Sequence, residues 1–109
     1  MATAYKVLGQ QAPSATTATA LYTVPSATEA VISTISVCNR GTANGTFRIA
    51  VRPDGAALAN QHYLAFDSTV AAKDSIFITV GATLNAADVL EVYASTADFS
   101  FHAYGSEIS

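Results

Sequence analysis

The chain has 109 residues, of which 12% are charged, and its net charge is −3. This length predicts one domain with a single core, and the acidic balance offers no basic surface for nucleic acid. A soluble domain typically has about 25% charged residues, so a charge-poor exterior rich in alanine, threonine and serine predicts faces that contact other proteins or other copies of the chain.

Membrane insertion and disulfide bonding are not expected either. The first ten residues lack the apolar run of a signal peptide, and no segment approaches the ~18 apolar residues of a membrane span. Cys38 is the only cysteine, so neither an intrachain disulfide nor a cysteine-rich zinc site is expected. We expect synthesis and folding in a cytoplasm, with no membrane and no nucleic-acid partner.

Eight segments of alternating or β-branched side chains are predicted as strands. They are Tyr5–Leu8, Ala20–Val24, Glu29–Asn39, Thr46–Arg52, Gln61–Phe66, Ser75–Val80, Val89–Ala94 and Phe99–Tyr104. The third has apolar side chains on both faces, which is typical of a central strand, and the first two are predicted at sheet edges. Turn residues recur every ~8–15 residues, and the pattern predicts an all-β fold, a single antiparallel β-sandwich or jelly-roll-like domain over residues 1–109.

The clearest alternation is in Thr46–Arg52, where Phe47, Ile49 and Val51 share one face. Asn44–Gly45, in front of this strand, is predicted as a hairpin tip. The apolar faces of the strands predict a core between two sheets, formed by Phe47, Ile49, Val51, Ile35, Val37, Ile76, Ile78, Val92 and Phe101.

The segment Gln10–Thr19 has no large apolar side chain to bury. It is predicted either as a surface loop between the first two strands or as an extended arm that orders against a neighbouring subunit. On the second interpretation Met1–Thr19 contributes more to docking than to the fold, because ordering a segment in an isolated domain costs ~1–2 kcal/mol of backbone entropy per residue.

The sequence contains no recognisable catalytic arrangement. His62 and His102 are far apart and are predicted as half-exposed strand residues rather than metal ligands or general bases. Cys38 is predicted as a small buried hydrophobe. Neither a Gly-x-Ser-x-Gly motif nor a phosphate-binding glycine motif occurs. We therefore expect no enzymatic activity and no catalytic, cofactor-binding or metal-binding residues.

The charged side chains are predicted to have structural roles, as caps of backbone groups or as surface charges. The acidic residues at strand ends and turns are expected to cap backbone N–H groups; they are Asp54, Asp67, Asp74, Asp88 and Asp98. Two alternatives stay open for Arg40, Arg48 and Arg52. They form either a positive stripe or inter-subunit ion pairs, or they belong to an ordinary solvated face.

Six stretches resemble a family of small virion structural proteins of tailed bacteriophages, cyanophages among them. They cover nearly the whole chain from Tyr5 and are Leu21–Pro25, Glu29–Gly41, Phe47–Leu58, His62–Asp67, Leu84–Ser95 and Phe101–Ile108. All are patterns of strands and turns, without site motifs. The chain departs from the family at Ala87, where many members have the glycine of a Leu-x-Ala-Gly-Asp turn, which leaves the geometry of that turn open.

The resemblance implies a non-enzymatic virion component, assembled in a bacterial host cytoplasm with other virion proteins, either the major capsid protein or tail proteins. We expect a capsid decoration or cement protein that stabilises the shell, and a homo-oligomer, with a trimer as the first expectation. The alternative is a tail, neck or baseplate component, or a small fibre or adhesin module. A different class is a carbohydrate-binding module in which Tyr63, Tyr93 and Tyr104 form a stacking platform.

Overall fold

Two four-stranded antiparallel sheets pack face to face in the computed structural model, which describes residues 2–109. The strands are β1 (Thr3–Gln11), β2 (Thr19–Thr23), β3 (Glu29–Asn39), β4 (Gly45–Arg52), β5 (Tyr63–Val70), β6 (Ser75–Leu84), β7 (Val89–Ala94) and β8 (Phe99–Ile108). Sheet 1 has the order β1-β8-β3-β6 and sheet 2 the order β2-β7-β4-β5. The predicted all-β sandwich is confirmed, and each predicted segment overlaps one strand.

The chain folds as one long hairpin that is rolled into two layers. Strands β1 and β8, β2 and β7, β3 and β6, and β4 and β5 pair antiparallel, and the pairs β3–β8 and β4–β7 complete the sheets. This is the strand order of an eight-stranded jelly roll. Only β4 and β5 are consecutive strands of one sheet, so every other connection crosses between the sheets.

The connection between β3 and β4 is one of these crossings, so the predicted hairpin tip at Asn44–Gly45 is wrong. Gly45 begins β4 and lies against a ring, since a Cβ added there would be 2.5 Å from Phe99 Cε1. Glycine is needed here for close packing rather than for a positive φ. The Oδ1 atom of Asn44 accepts a hydrogen bond from the N–H of Ala72, which ties the crossing to the β5–β6 turn.

The core lies between the two sheets. Most of the predicted core residues are buried, namely Phe47, Ile49, Ile35, Val37, Val92 and Phe101. Val51, Ile76 and Ile78 also pack against the core but are only half-buried, so for them the prediction is wrong. Ile76 and Ile78 lie on β6, an edge strand that has a neighbour on one side only. Phe99 and Leu90, which the predicted core omits, are fully buried.

One amide side chain is buried in this core. Asn39, at the end of β3, is 1% exposed. Its Nδ2 donates to the carbonyl oxygens of Ala43 and Val70, at 2.9 and 3.1 Å, and its Oδ1 accepts from the N–H of Gly41 at 2.9 Å. A buried amide is tolerated when its donors and acceptor are satisfied in this way. Asn39 therefore joins the end of sheet 1 to the end of β5 in sheet 2.

The N-terminal segment belongs to sheet 1. β1 pairs with β8 over eight residue pairs, so the predicted docking arm over Met1–Thr19 is wrong for residues 3–11, while Met1 lies outside the described residues. The loop is confined to residues 12–18 and is shorter than the predicted Gln10–Thr19. Gln10 and Gln11 pair with β8 although both are exposed. Backbone pairing needs no apolar side chain, and composition therefore missed these two residues.

A three-residue network closes the sandwich where β1 meets β2. The Tyr22 hydroxyl on β2 donates to Glu107 Oε2 on β8 at 2.5 Å, and Lys6 Nζ on β1 is 2.7 Å from Glu107 Oε1. Hydrogen bonds from Lys6 and from Tyr22 hold the pKa of Glu107 below its usual range. Burial, together with the bond to Glu107, raises the pKa of Tyr22. One carboxylate thus links three strands from both sheets.

This network predicts a pH dependence of stability. A carboxylate whose pKa is lowered by folding stabilises the fold above the unfolded pKa, about 4.3, and that contribution is lost as the pH falls through the folded pKa. We expect Glu107→Gln to lower the thermal midpoint at neutral pH and to match the wild type well below about pH 4. Thermal unfolding across this pH range measures the difference, with Glu29→Gln, an exposed glutamate on β3, as the control. A difference independent of pH would show that Glu107 acts through packing alone.

The turn between β6 and β7 has an alanine in a left-handed conformation. Ala87 has a φ of 71°, in the left-handed region, at the position where the resembled family has glycine. Its N–H donates to Val24 O at 3.1 Å, and Asp88 Oδ2 accepts from the N–H of Asn85 at 2.8 Å. A left-handed alanine costs roughly 1–2 kcal/mol, which these hydrogen bonds offset. Ala87 therefore adds local strain to a turn that these two hydrogen bonds hold in place.

Candidate functional site

The outer face of sheet 1 is almost free of charge. Strand register places fifteen hydroxyl, amide, imidazole, thiol, aliphatic and aromatic side chains on it, and we call them the uncharged face: Tyr5, Val7, Gln10, Val31, Thr34, Ser36, Cys38, Ser75, Phe77, Thr79, Thr83, Ser100, His102, Tyr104 and Ser106. Of the charged residues in these four strands, Lys6 and Glu107 pair with each other where sheet 1 meets β2, and Glu29 lies at one end of the face. At the other end, Arg40 directly follows β3 and donates to the Ser100 hydroxyl.

Large apolar side chains project from both edges of the uncharged face. Tyr5 is 85% and Val7 is 47% exposed on β1, and Phe77 is 69% exposed on β6. Between these edges, Gln10 Nε2 lies 3.2 Å from His102 Nδ1. Leu58, Leu64 and Phe66 are also exposed, outside this face, so the uncharged face is distinguished by exposed apolar side chains together with the lack of charge between them. This combination marks a surface for contact with another molecule.

Cys38 lies on the uncharged face and is half-buried, so its predicted burial is wrong. Its neighbours Val37 and Asn39 take the buried, inward positions of β3, and strict alternation turns Cys38 outward. His102 has the half-exposed strand position predicted for it. His62 is also half-exposed, but it ends a short 3-10 turn in front of β5, where its Nδ1 accepts from the N–H of Ala59 at 3.0 Å.

The outer face of sheet 2 is organised around Arg48. Its guanidinium carbon lies 4.1 Å from the centroid of the Phe66 ring and 4.3 Å from that of Tyr93. Arg48 Nε and Nη2 also donate to the two carboxylate oxygens of Asp67, at 2.7 and 3.3 Å. Stacking and bidentate pairing are the two modes that favour arginine over lysine. These contacts hold Arg48 in one conformation on the sheet.

The Arg48–Asp67 pair corrects the predicted role of the aspartate. Asp67 has a φ of 51° within β5 and pairs with Arg48 rather than capping a backbone N–H group. The hydrogen bonds between the two raise the pKa of the Arg48 guanidinium and lower that of the Asp67 carboxyl. Asp74 and Asp88 do accept from backbone N–H groups, at 2.8 Å, as predicted.

The three arginines do not form a stripe. Arg48 and Arg52 share the outer face of β4, and Arg52 Nη2 lies 3.2 Å from Glu91 Oε1. Arg40 follows β3 in sheet 1, where its Nε donates to the Ser100 hydroxyl at 2.8 Å. Arg48 and Arg52 therefore make ion pairs within this chain rather than leaving two positive charges free on the surface.

A cleft of about 220 Å³ lies beside Arg48. Tyr63, Tyr93, Glu91 and Leu58 contribute to its walls, together with the 12–18 loop. Tyr104, the third tyrosine of the predicted stacking platform, lies on β8 of the opposite sheet. The cleft is smaller than the ~300–1,000 Å³ typical of ligand pockets.

Among residues 2–109, no three histidine, cysteine, aspartate or glutamate side chains are grouped so that they could hold a metal ion. No helix within that range is long and apolar enough to cross a membrane. No family model matches the sequence, and a search of curated proteins finds no match. The two outer faces are therefore the structural features from which a function can be inferred.

Proposed function

We propose that this protein is a non-enzymatic structural component of a bacteriophage virion, a capsid decoration or cement protein that attaches to the shell through the uncharged face. The observation that carries the proposal is the exposure of Tyr5, Val7 and Phe77 on a face without charged side chains in its interior. That observation supports attachment to another protein, whereas the assignment to a virion rests on the resemblance of the sequence to small virion proteins of tailed bacteriophages.

The chemistry of the uncharged face suits a protein partner. Burying a charge against a partner costs free energy unless the charge is paired in the complex, and this face buries none. Its hydroxyl groups can exchange hydrogen bonds with water for hydrogen bonds with a partner at little net cost. Its exposed rings and aliphatic groups supply the apolar area that stabilises the complex. Such a face binds without needing a matching charge pattern.

The connections favour a capsid position over a fibre tip. A recognition tip needs a long loop with aromatic anchors. The longest connection in residues 2–109 is 53–62, which includes two 3-10 turns, contains no aromatic residue and is held by Arg52 Nη1 donating to Gly55 and Ala56 oxygens. A small sandwich with short connections suits a rigid clamp between capsid subunits. A tail, neck or baseplate position, or a small fibre module, is the alternative.

The carbohydrate-binding class has weaker support. Stacking of a sugar needs a free aromatic face, and Arg48 already covers one face each of Phe66 and Tyr93. The predicted platform is also divided between the sheets, because Tyr104 is on sheet 1 and Tyr63 on sheet 2. We therefore propose the protein-binding role.

The test uses particles of the encoding phage that lack this chain. Purified wild-type protein is added back, and we expect it to bind the shell, where electron cryomicroscopy locates it. Tyr5→Lys, which places a charge on the uncharged face, is expected to weaken binding at least tenfold, or ~1.4 kcal/mol. The matched control is Leu64→Lys, a side chain 53% exposed on β5 of sheet 2.

Three results would contradict the proposal. Absence of the chain from purified virions by mass spectrometry removes the virion role altogether. Density for the chain on the tail or neck would show a tail or neck component in place of a capsid decoration protein. Loss of binding by Leu64→Lys, with Tyr5→Lys unaffected, moves the attachment surface to sheet 2.

A further inference from the structure

The four edge strands differ in how well they are protected from pairing with another chain. An exposed edge presents unpaired N–H and C=O groups, and proteins block such edges with charges, bulges or very short strands. β1 has Lys6 and a register shift after Val7, β2 has only five residues, and β5 has Asp67 at a positive φ within a shifted register. Each of these three edges is therefore blocked.

β6 has the least protected edge. It is ten residues long and contains no charged residue and no proline. Its pairing with β3 is regular from Ser75 to Thr79, and its one irregularity lies beyond that stretch, at Gly81 with a φ of 59°. The free side of residues 75–79 is thus a straight, uncharged strand edge.

The core is also incompletely covered along β6. Ile76, Ile78 and Val80 pack against the core yet stay half-buried, whereas their partners Val37 and Ile35 on β3 are 0% exposed. On the outer side, Phe77 is 69% exposed. The same edge therefore leaves both unpaired backbone groups and apolar side chains in water.

We propose that β6 of a second copy covers this edge by antiparallel pairing about a two-fold axis, so that sheet 1 continues from one copy into the other. A perpendicular two-fold axis keeps outward residues opposite outward residues. The register centred on Phe77 sets the two Phe77 rings opposite each other, Ser75 opposite Thr79, and Ile76 opposite Ile78. Aromatic, hydroxyl and β-branched pairs of this kind are the favourable cross-strand pairs of antiparallel sheets.

The paired stretch is short, and its lack of charge permits the approach of an identical strand. The register pairs residues 75–79 of the two copies, which extend about 17 Å, and the molecule is 19 Å across its thinnest direction. Contact along this stretch buries roughly 300 Å² on each copy, or about 650 Å² in total, so the dimer is weaker than one with the ~1,200 Å² of a stable interface. Because residues 75–84 are uncharged, no like charges face each other across the axis. Pairing also removes two exposed edges at once.

The dimer predicts a definite pattern of oligomeric states. Sedimentation equilibrium of the purified chain, in the absence of phage particles, is expected to show a monomer–dimer equilibrium that shifts to the dimer as the concentration approaches ~1 mM. Phe77→Lys, a change at an exposed site, is expected to give a folded monomer, with folding checked by circular dichroism. Thr23→Lys, an exposed change on β2, is the matched control and stays dimeric. Tyr5→Lys stays dimeric while losing attachment to particles, which separates this proposal from the proposed function.

A wild-type chain that stays monomeric at ~1 mM, or that forms a trimer, would overturn the two-fold pairing, as would a dimer that survives Phe77→Lys. The register is tested by cross-linking after Cys38→Ser removes the native thiol. Phe77→Cys then places its thiols on opposed residues, whose Cα atoms are about 4.5–5.5 Å apart in an antiparallel pair, within disulfide range. Ser75→Cys places them about 13 Å apart. Oxidation is expected to link only the Phe77→Cys dimer, and equal linking of both variants would reject this register.

Discussion

Replacing Phe47 with alanine is expected to lower the free energy of unfolding by ~3–5 kcal/mol. Phe47 is 1% exposed and meets the ring of Phe101 edge to face, with 6.3 Å between the centroids. One ring belongs to sheet 2 and the other to sheet 1, so truncation opens a cavity between the layers. The loss is a large part of the ~5–15 kcal/mol that stabilises a typical domain. Urea unfolding followed by circular dichroism measures it.

Phe77→Ala is the matched control, because it removes the same ring from an exposed site. Its expected effect on the unfolding free energy, measured where the protein is monomeric, is about 0.5 kcal/mol or less. A loss below about 1 kcal/mol for Phe47→Ala would show that the opposite face of β4 points inward.

Deleting residues 1–11 is expected to remove a large part of the stability of the fold. β1 makes eight residue pairs with β8, which correspond to about eight backbone hydrogen bonds at ~0.5 kcal/mol or more each. The loss is thus ~4 kcal/mol, or a fall of ~15–30 °C in thermal midpoint. The deletion also takes Lys6 from Glu107 and exposes β8 as a new edge. Calorimetry of the truncated chain measures the midpoint.

The control for this deletion changes the loop and keeps the strand. Ser14 and Ala15 are exposed in the 12–18 loop, and replacing both with glycine is expected to shift the midpoint by no more than a few degrees. If the truncated chain instead keeps the wild-type midpoint, β1 contributes little to stability. The interpretation of residues 1–11 as a docking arm would then be restored.

The sequence predicts the sandwich well because strand patterns are local. β3 and β7 have the predicted bounds, since alternation or β-branching runs through each and turn residues follow. β1 is longer than predicted because Gln10 and Gln11 pair through their backbones, which leaves no trace in hydropathy. Ile76 and Ile78 were predicted to be core residues because alternation shows which face of the strand they occupy. Their burial also depends on a neighbouring strand on each side, and β6 has a neighbour on one side only.

The outer surfaces of the two sheets depend on contacts between residues that are distant in the sequence. Arg48, Phe66 and Tyr93 come together from β4, β5 and β7, and no spacing motif connects them. Asn39 gave no signal either, since its role depends on carbonyl groups at Ala43 and Val70. The low charge of the sequence agrees with the nearly uncharged outer face of sheet 1, because composition is averaged over the whole exterior; that this face contacts another protein stays a prediction.

Pairing of the first strands with the last has a consequence for synthesis on the ribosome. β8 lies between β1 and β3 in sheet 1, and β7 lies between β2 and β4 in sheet 2, so neither sheet can close until the late strands have emerged. At ~5–20 residues per second, β1 waits about 5–20 s for its partner. During that time the nascent chain exposes the apolar side chains of β3 and β4 with few charges to keep it apart from other nascent chains. Folding is therefore completed only after translation has passed β8.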